Sequence, residues 1–210
     1  MENTCWKATL AVAVLALTAC SSAPTASSSP AKTDAESKEA GPPQPVTAKT
    51  AFWEAYKPAH SWAADLATLS VVYKEIPGVK NEDGKAGLWE ITFASPSRRE
   101  ARTFQYAVAK NGLEIRKGVN IGKAIPWGGP TRDVTPFQTG QFAIDSDVAY
   151  QTAFKGAEPW LKKHPDAPLT LTLGYATRYP GPVWYVLWGN TKSGYVAYIN
   201  ALTGKTISGK

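Results

Sequence analysis

The strongest constraint on the fold of this chain is a pattern that occurs twice along it. Residues 87–115 and residues 182–207 present aromatic, glycine and aliphatic residues in the same order. The matched pairs are Trp89 with Trp184, Tyr106 with Tyr198, Gly112 with Gly204, and Ile115 with Ile207. Such a repeat indicates two degenerate copies of one structural unit. We therefore predict one unit at residues 50–118, a second at residues 144–210, and a bridge between them at residues 119–143.

Each unit is predicted to contain one helix followed by antiparallel strands. In the first unit, apolar residues spaced by three and four from Phe52 onward define one face of a helix. Asp145 or Ser146 can cap the helix of the second unit, because their side-chain oxygens can accept hydrogen bonds from its first turn. After each helix the apolar residues recur with a period of two, which is typical of half-buried strands. The predicted fold class is α+β, with two tandem helix-plus-antiparallel-sheet units.

The strands of the second unit are apolar on both sides, which predicts a surface for a partner. The repeat places Trp184 and Tyr198 together on the side that faces the helix. The opposite side would then carry the candidate partner surface, which consists of Tyr185, Leu187, Tyr195 and Ile199. Exposed apolar patches of this kind mark binding sites. Alternatively, the first unit or the bridge packs there, and a polar surface of the first unit stays open, namely Glu90, Thr92, Thr103 and Gln105.

The amino terminus has the features of a secretory signal. A weakly positive start precedes an apolar run at residues 8–17, which is too short to span a bilayer permanently. The tetrapeptide Leu-Thr-Ala-Cys that ends at Cys20 resembles the lipobox of bacterial lipoproteins. This resemblance implies that residues 1–19 are a signal peptide and that Cys20 becomes the lipidated first residue of the mature chain, inserted in a membrane. Ser21 after the cysteine, rather than Asp, implies the outer membrane, with the protein facing the periplasm.

Residues 20–49 are predicted to form a disordered tether between the lipid and the folded part. They are rich in Ser, Ala, Pro, Thr and charged residues and contain no aromatic residue, so they bury too little apolar surface to offset the entropy of ordering. Cys5 would leave with the signal peptide, and no disulfide can then form. The formal net charge of +6 is spread along the chain, and nucleic acid is not an expected partner of an exported protein.

Residues 183–207 resemble the carboxy-terminal half of a PepSY domain. The residues that carry the match are Trp184, Val186, Tyr195, Tyr198, Thr203 and Gly204. Asn200 stands where the family usually has Asp, and the first unit shares the resemblance only through the repeat. The resemblance implies a helix packed on a sheet. It also implies a role in binding or restraining peptidases, because PepSY-like units occur in propeptides of secreted metallopeptidases and in small envelope proteins.

The chain carries no motif that identifies a reaction. It has neither G-x-S-x-G nor H-E-x-x-H nor a glycine-rich phosphate loop, and its mature part has two histidines, His60 and His164, near helix ends. We therefore predict a binding protein rather than an enzyme, with no catalytic residue, metal or cofactor. The expected partner is an envelope protein of the peptidase type. A cell-wall or surface polysaccharide is the alternative, since aromatic rings stack on sugars, and a hydrolase is the remaining one.

Overall fold

Two helices and seven strands build the part of the chain that the computed structural model describes, residues 41–207. The helices are α1, Ala48–Trp62, and α2, Ser146–Leu161. The strands are β1, Ala67–Lys74; β2, Leu88–Ser95; β3, Glu100–Ala107; β4, Gly118–Pro126; β5, Leu169–Gly174; β6, Val183–Trp188; and β7, Tyr195–Asn200. All strand pairs are antiparallel. The predicted α+β class is confirmed.

The strands of both predicted units belong to one continuous sheet. Their order is β4-β3-β2-β1-β5-β6-β7, so the first strand of each half meets the other at the centre. Val71 of β1 lies opposite Leu173 of β5, and both side chains are fully buried. The two halves are therefore joined by main-chain hydrogen bonds as well as by side-chain packing.

Both helices pack on the same face of the sheet. Helix α1 contacts β2 and β3, whereas α2 contacts β6 and β7. Each helix turns a row of alanines toward the sheet: Ala51, Ala55 and Ala59 in α1, and Ala149, Ala153 and Ala157 in α2. These small residues let the helices approach the large rings that fill the core. Trp89, Trp184, Phe52, Phe93, Phe104 and Phe137 are all buried there.

Two tryptophans hold the starts of the two helices in the same way. The indole Nε1 of Trp89 donates a hydrogen bond to the carbonyl oxygen of Val46 at 2.9 Å. The indole Nε1 of Trp184 donates to the carbonyl oxygen of Ile144, also at 2.9 Å. Each acceptor directly precedes the N-cap residue of its helix. The matched pair Trp89 and Trp184 therefore has equivalent positions, and the two rings meet with their centroids 6.4 Å apart.

The amino-terminal ends of the helices also meet and share one cap. Of the two predicted caps, Asp145 is the N-cap of α2, and its Oδ1 accepts from the main-chain N–H of Ser146 at 2.7 Å. The same oxygen accepts from the N–H of Lys49 in α1 at 3.0 Å. The Ser146 hydroxyl accepts from the N–H of Ala48 at 2.9 Å. One carboxylate therefore stabilises the positive ends of two helices.

The predicted match of Tyr106 with Tyr198 is wrong by one residue. In the sheet, Trp89 lies opposite Tyr106, whereas Trp184 lies opposite Ile199. The structural equivalent of Tyr106 is therefore Ile199. Because side chains alternate across a strand, this shift by one residue moves Tyr198 to the face of the sheet away from the helices.

The predicted boundaries differ from the observed ones at both ends of the first half. Val46 forms an antiparallel bridge with Ala86, and α1 begins at Ala48, so folded structure begins before residue 50. The predicted bridge at residues 119–143 contains most of β4, an edge strand paired with β3. It also contains Phe137, which enters the core beside Thr68. The predicted signal peptide, residues 1–19, and tether residues 20–40 lie outside the described residues.

Candidate functional site on the open face of the sheet

The face of the sheet away from the helices has a polar zone on β1, β2 and β3. The hydroxyls of Thr92 and Thr103 lie 2.9 Å apart, and Gln105 Nε2 donates to Glu90 Oε1 at 2.8 Å. Lys74 Nζ lies 3.3 Å from the other carboxylate oxygen of Glu90. These side chains bind one another across the strands. The polar surface predicted for the first unit is therefore present and internally paired.

The same face carries a cleft on β5, β6 and β7, which we call the tyrosine cleft. Tyr185 and Tyr198 lie opposite each other on β6 and β7, with ring centroids 5.5 Å apart. Tyr179 comes from the β5–β6 connection, and its ring centroid is 5.3 Å from that of Tyr198. Thr170 and Thr172 of β5 line the same cleft, whose volume is about 470 Å³. Together they form a concave surface of ring faces and hydroxyl groups.

The wall of the cleft is held in place by main-chain hydrogen bonds between two connections. The segment between β4 and α2 runs beside the β5–β6 connection. The N–H of Thr135 donates to the carbonyl oxygen of Tyr175 at 2.8 Å, and the N–H of Thr177 donates to that of Arg132 at 3.0 Å. Because these bonds fix the two connections relative to each other, the cleft is formed before any ligand binds.

Arg178 supplies a positive charge at the rim of the cleft. Its guanidinium carbon lies 5.0 Å from the centroid of the Tyr179 ring, and its Nη1 lies 4.0 Å from Asp133 Oδ1. A hydrogen bond with the Tyr179 hydroxyl raises the pKa of Arg178. Burial raises the pKa of both Tyr185 and Tyr198. At neutral pH the hydroxyls of Tyr185 and Tyr198 are therefore uncharged, and the rim carries the Arg178 cation beside the Asp133 carboxylate.

His60 lies in α1 and His164 lies just after the end of α2, and neither lines this cleft. The His60 ring stacks on Tyr56 with centroids 5.7 Å apart, and the His164 ring stacks on Trp160 at 4.1 Å. Within residues 41–207, no group of three His, Cys, Asp or Glu side chains is arranged to hold a metal ion. The groups that line the cleft are ring faces, hydroxyl groups, the Arg178 guanidinium and the Asp133 carboxylate.

The four residues of the predicted partner surface do not share one face, so that prediction is wrong. Tyr185 and Leu187 lie on the open face, whereas Tyr195 and Ile199 lie on the face covered by the helices. Ile199 is fully buried, and the ring of Tyr195 packs against Trp188 at 6.3 Å between centroids. The error follows from the repeat alignment, which placed Tyr198 rather than Ile199 beside Trp184.

Leu187 does not reach the cleft either. It is 5 % exposed, and the β6–β7 turn passes directly over it at Gly194. Of the predicted surface, only Tyr185 lines the cleft. Cys20, the predicted site of lipid attachment, lies outside the described residues.

Five residues of the cleft were not predicted from the sequence: Tyr179, Tyr198, Arg178, Thr170 and Thr172. The alternation along β5 places Thr170 and Thr172 on one side, but only the register of β6 and β7 brings tyrosines beside them. Tyr179 and Arg178 belong to a connection whose path no periodicity encodes. The abundance of tyrosine between residues 175 and 198 was the one available signal.

Comparisons with known proteins add little to the geometry. No family model matches the chain, and no curated protein matches it. Among solved structures, the chain is similar to the crystal structure of a protein from Clostridium difficile 630 that is provisionally described as a lipoprotein. The TM-score is 0.48 at 8 % sequence identity, and the match covers 81 % of this chain and 94 % of that chain. A similarity at this level identifies neither a family nor an activity.

Among residues 41–207, neither α1 nor α2 is long and apolar enough to cross a bilayer.

Proposed function

We propose that this chain is a lipid-anchored binding protein of the bacterial cell envelope, and that it binds a partner through the tyrosine cleft. The observation that carries the proposal is the meeting of Tyr179, Tyr185 and Tyr198 on a face that neither α1 nor α2 covers. Tyrosine and arginine dominate the energetics of protein interfaces, because they offer a large contact area and lose little rotamer entropy. Arg178 at the rim adds a partner for a carboxylate.

Two PepSY-like units are the architecture that fits this proposal. The support is the equivalent placement of the helix caps and of Trp89 and Trp184 in the two halves. The alanine rows give further support. Ala51, Ala55 and Ala59 of α1 each lie the same number of residues before the corresponding buried alanine of α2. A duplicated unit gives two zones of different character on the open face of the sheet, one polar and one aromatic.

The lipid anchor rests on the tetrapeptide that ends at Cys20. Acyl chains contribute about 0.8 kcal/mol per buried CH₂, so more than one chain gives stable attachment. In this proposal residues 20–40 lead from the outer membrane to the folded part in the periplasm. Mass spectrometry of protein extracted from its native envelope should find an acylated amino-terminal cysteine. An unmodified Cys20, or a mature chain that begins elsewhere, would refute the anchor.

The partner proposed first is an envelope protein of the peptidase type. Pull-down from envelope extracts should recover it with the wild-type chain and lose it when Tyr185→Ala and Tyr198→Ala are combined. Trp53→Ala is the matched control, because Trp53 is an exposed aromatic residue on α1, behind the sheet. Unchanged recovery with the double variant, or equal loss with Trp53→Ala, would exclude the cleft as the binding surface.

A glycan is the second candidate, and the floor of the cleft favours it over an extended peptide strand. A peptide strand adds at the edge of a sheet, whereas the cleft lies over the face of β6, whose main-chain groups are paired with β5 and β7. Ring faces and the hydroxyls of Thr170 and Thr172 remain for a ligand. Retention on purified peptidoglycan, lost in the same double variant, would select this candidate over a protein partner.

A further inference from the structure

The two halves of the sheet separate at one end, and this opening forms a concave region distinct from the tyrosine cleft. Strands β1 and β5 pair only through residues 70–72 and 172–174, although β1 continues to Lys74 and β5 begins at Leu169. Two neighbouring cavities lie at this opening, with volumes of about 620 Å³ and about 280 Å³. They share Tyr73, Asn81 and Ala167 among their lining residues. None of these residues lines the tyrosine cleft.

The smaller cavity has aromatic walls from both halves of the molecule. Tyr73 comes from β1, Tyr150 and Phe154 from α2, and Trp188 from β6. The ring centroid of Tyr150 is 5.6 Å from that of Trp188 and 5.9 Å from that of Phe154. The faces of aromatic rings carry partial negative charge and attract cations, most strongly where water is excluded.

Carboxylates line the same cavity and have no cationic partner in the described part of the chain. Glu82 and Asp83 line the smaller cavity, and within residues 41–207 no lysine or arginine nitrogen lies within 4.0 Å of either carboxylate. Lys80 lines only the larger cavity, as does Glu75. Burial and then the negative charge of Asp83 raise the pKa of Tyr150, which places that carboxylate near the wall of rings. The smaller cavity is therefore lined by two carboxylates and no cation.

We propose that the smaller cavity binds an organic cation, namely the guanidinium or ammonium group of an arginine or lysine side chain presented by a partner. The charge complementarity comes from Glu82 and Asp83, and the rings of Tyr150 and Trp188 supply the cation–π contacts. A basic side chain with a long aliphatic stem matches both features, because its charged head can pair with the carboxylates while its stem packs on the rings.

Binding here would connect the two halves, because each contributes part of the wall. Tyr73 and Asp83 belong to the first half, and Tyr150 and Trp188 belong to the second. A ligand that binds only the folded state raises its stability in proportion to the logarithm of ligand concentration. The melting temperature therefore reports occupancy of this site.

The test uses the whole mature chain in detergent micelles and two small probes whose amino and carboxyl groups are blocked and uncharged. N-acetyl-arginine amide carries the guanidinium, and N-acetyl-citrulline amide has nearly the same shape without the charge. We expect the arginine probe to raise the melting temperature and to shift the indole N–H resonance of Trp188, and the citrulline probe to do neither. Equal effects of the two probes, or no effect of the arginine probe at saturating concentration, would overturn the proposal.

Matched variants separate the cavity from general charge attraction. Asp83 has φ 47°, a left-handed conformation that asparagine also adopts readily, so Asp83→Asn removes the charge without backbone strain. We expect this variant and Glu82→Gln each to weaken binding of the arginine probe by roughly tenfold. Glu114→Gln, in the exposed β3–β4 connection, should bind as the wild type does. Wild-type affinity in both cavity variants, with unperturbed spectra, would exclude this cavity.

Discussion

At the scale of single residues, Asp65 shows how one carboxylate can tie a helix end to a distant turn. Asp65 follows α1, and its Oδ1 accepts from the Ser95 hydroxyl at 2.6 Å, while its Oδ2 accepts from the N–H of Ser97 at 2.7 Å. These two bonds, the Ser95 bond first, lower the pKa of Asp65 to about 2. The folded protein therefore stabilises the ionised form of the Asp65 carboxyl group.

This shift predicts how stability depends on pH. The folded-state pKa of about 2 lies below the unfolded value near 3.8, so the contribution of Asp65 is present above pH 4 and is lost as pH falls toward 2. Asp65→Asn should therefore have a lower urea midpoint than wild type at pH 7, and the difference should shrink by pH 2. A difference that is constant between pH 7 and pH 2 would contradict this role.

At the scale of secondary-structure elements, the sequence predicted more of the helices than of the last strand. The helices could be predicted from local features, namely apolar residues spaced by three and four and the capping oxygen of Asp145. Strand β7 reads Tyr-Val-Ala-Tyr-Ile-Asn and is apolar on both sides, so alternation alone did not say which side faces the core. The register follows from the β6–β7 turn, where Gly189 adopts φ 88°. The sequence did not reveal that conformation.

The register of β7 can be tested by placing a charge on each side of the strand. Ile199 is fully buried beside Trp184, whereas Val196 is 39 % exposed on the open face. Ile199→Asp should lower the free energy of unfolding by more than about 3 kcal/mol, because it buries an unpaired carboxylate. Val196→Asp should change it by less than about 1 kcal/mol. Urea denaturation of the two variants distinguishes the sides, and the reverse order would show that the assigned register is wrong.

The shared helix cap predicts an unusually large effect of a single truncation. Asp145 accepts from the first turns of both α1 and α2, whereas Thr47 caps α1 alone. Asp145→Ala should therefore cost about 1–2 kcal/mol of stability and more than Thr47→Ala does. Thermal unfolding of the two variants at neutral pH provides the comparison. Equal losses would mean that Asp145 serves only one helix.

At the scale of the whole molecule, the central pairing of β1 with β5 makes two similar halves into one sheet. The repeat predicted a helix and three strands in each half. It predicted neither the edge strand β4 nor this pairing, because a contact between residues about one hundred positions apart leaves no local pattern. The tyrosine cleft was not predicted for the same reason. Its lining comes from strands of the second half and from the connection between the halves, which contains Asp133.

Because the halves share a sheet and a helix cap, we expect them to unfold together. Trp89 and Trp184 meet at the centre, and Leu173 packs where β1 and β5 pair. Tryptophan fluorescence and far-ultraviolet circular dichroism should therefore give coincident urea transitions. Leu173→Ala should lower the free energy of unfolding derived from each transition by the same amount, about 2–5 kcal/mol. Two separate transitions would show that each half is stable alone.

The central claim, that this molecule binds a partner through the tyrosine cleft, is tested most directly by photo-crosslinking in the native envelope. A photoreactive amino acid placed at Tyr185 faces the cleft, and the same group placed at Trp53 faces outward from α1 on the other side of the sheet. The account predicts a discrete crosslinked species from position 185 that is absent from position 53. No adduct at position 185, or the same adduct from both positions, would contradict it.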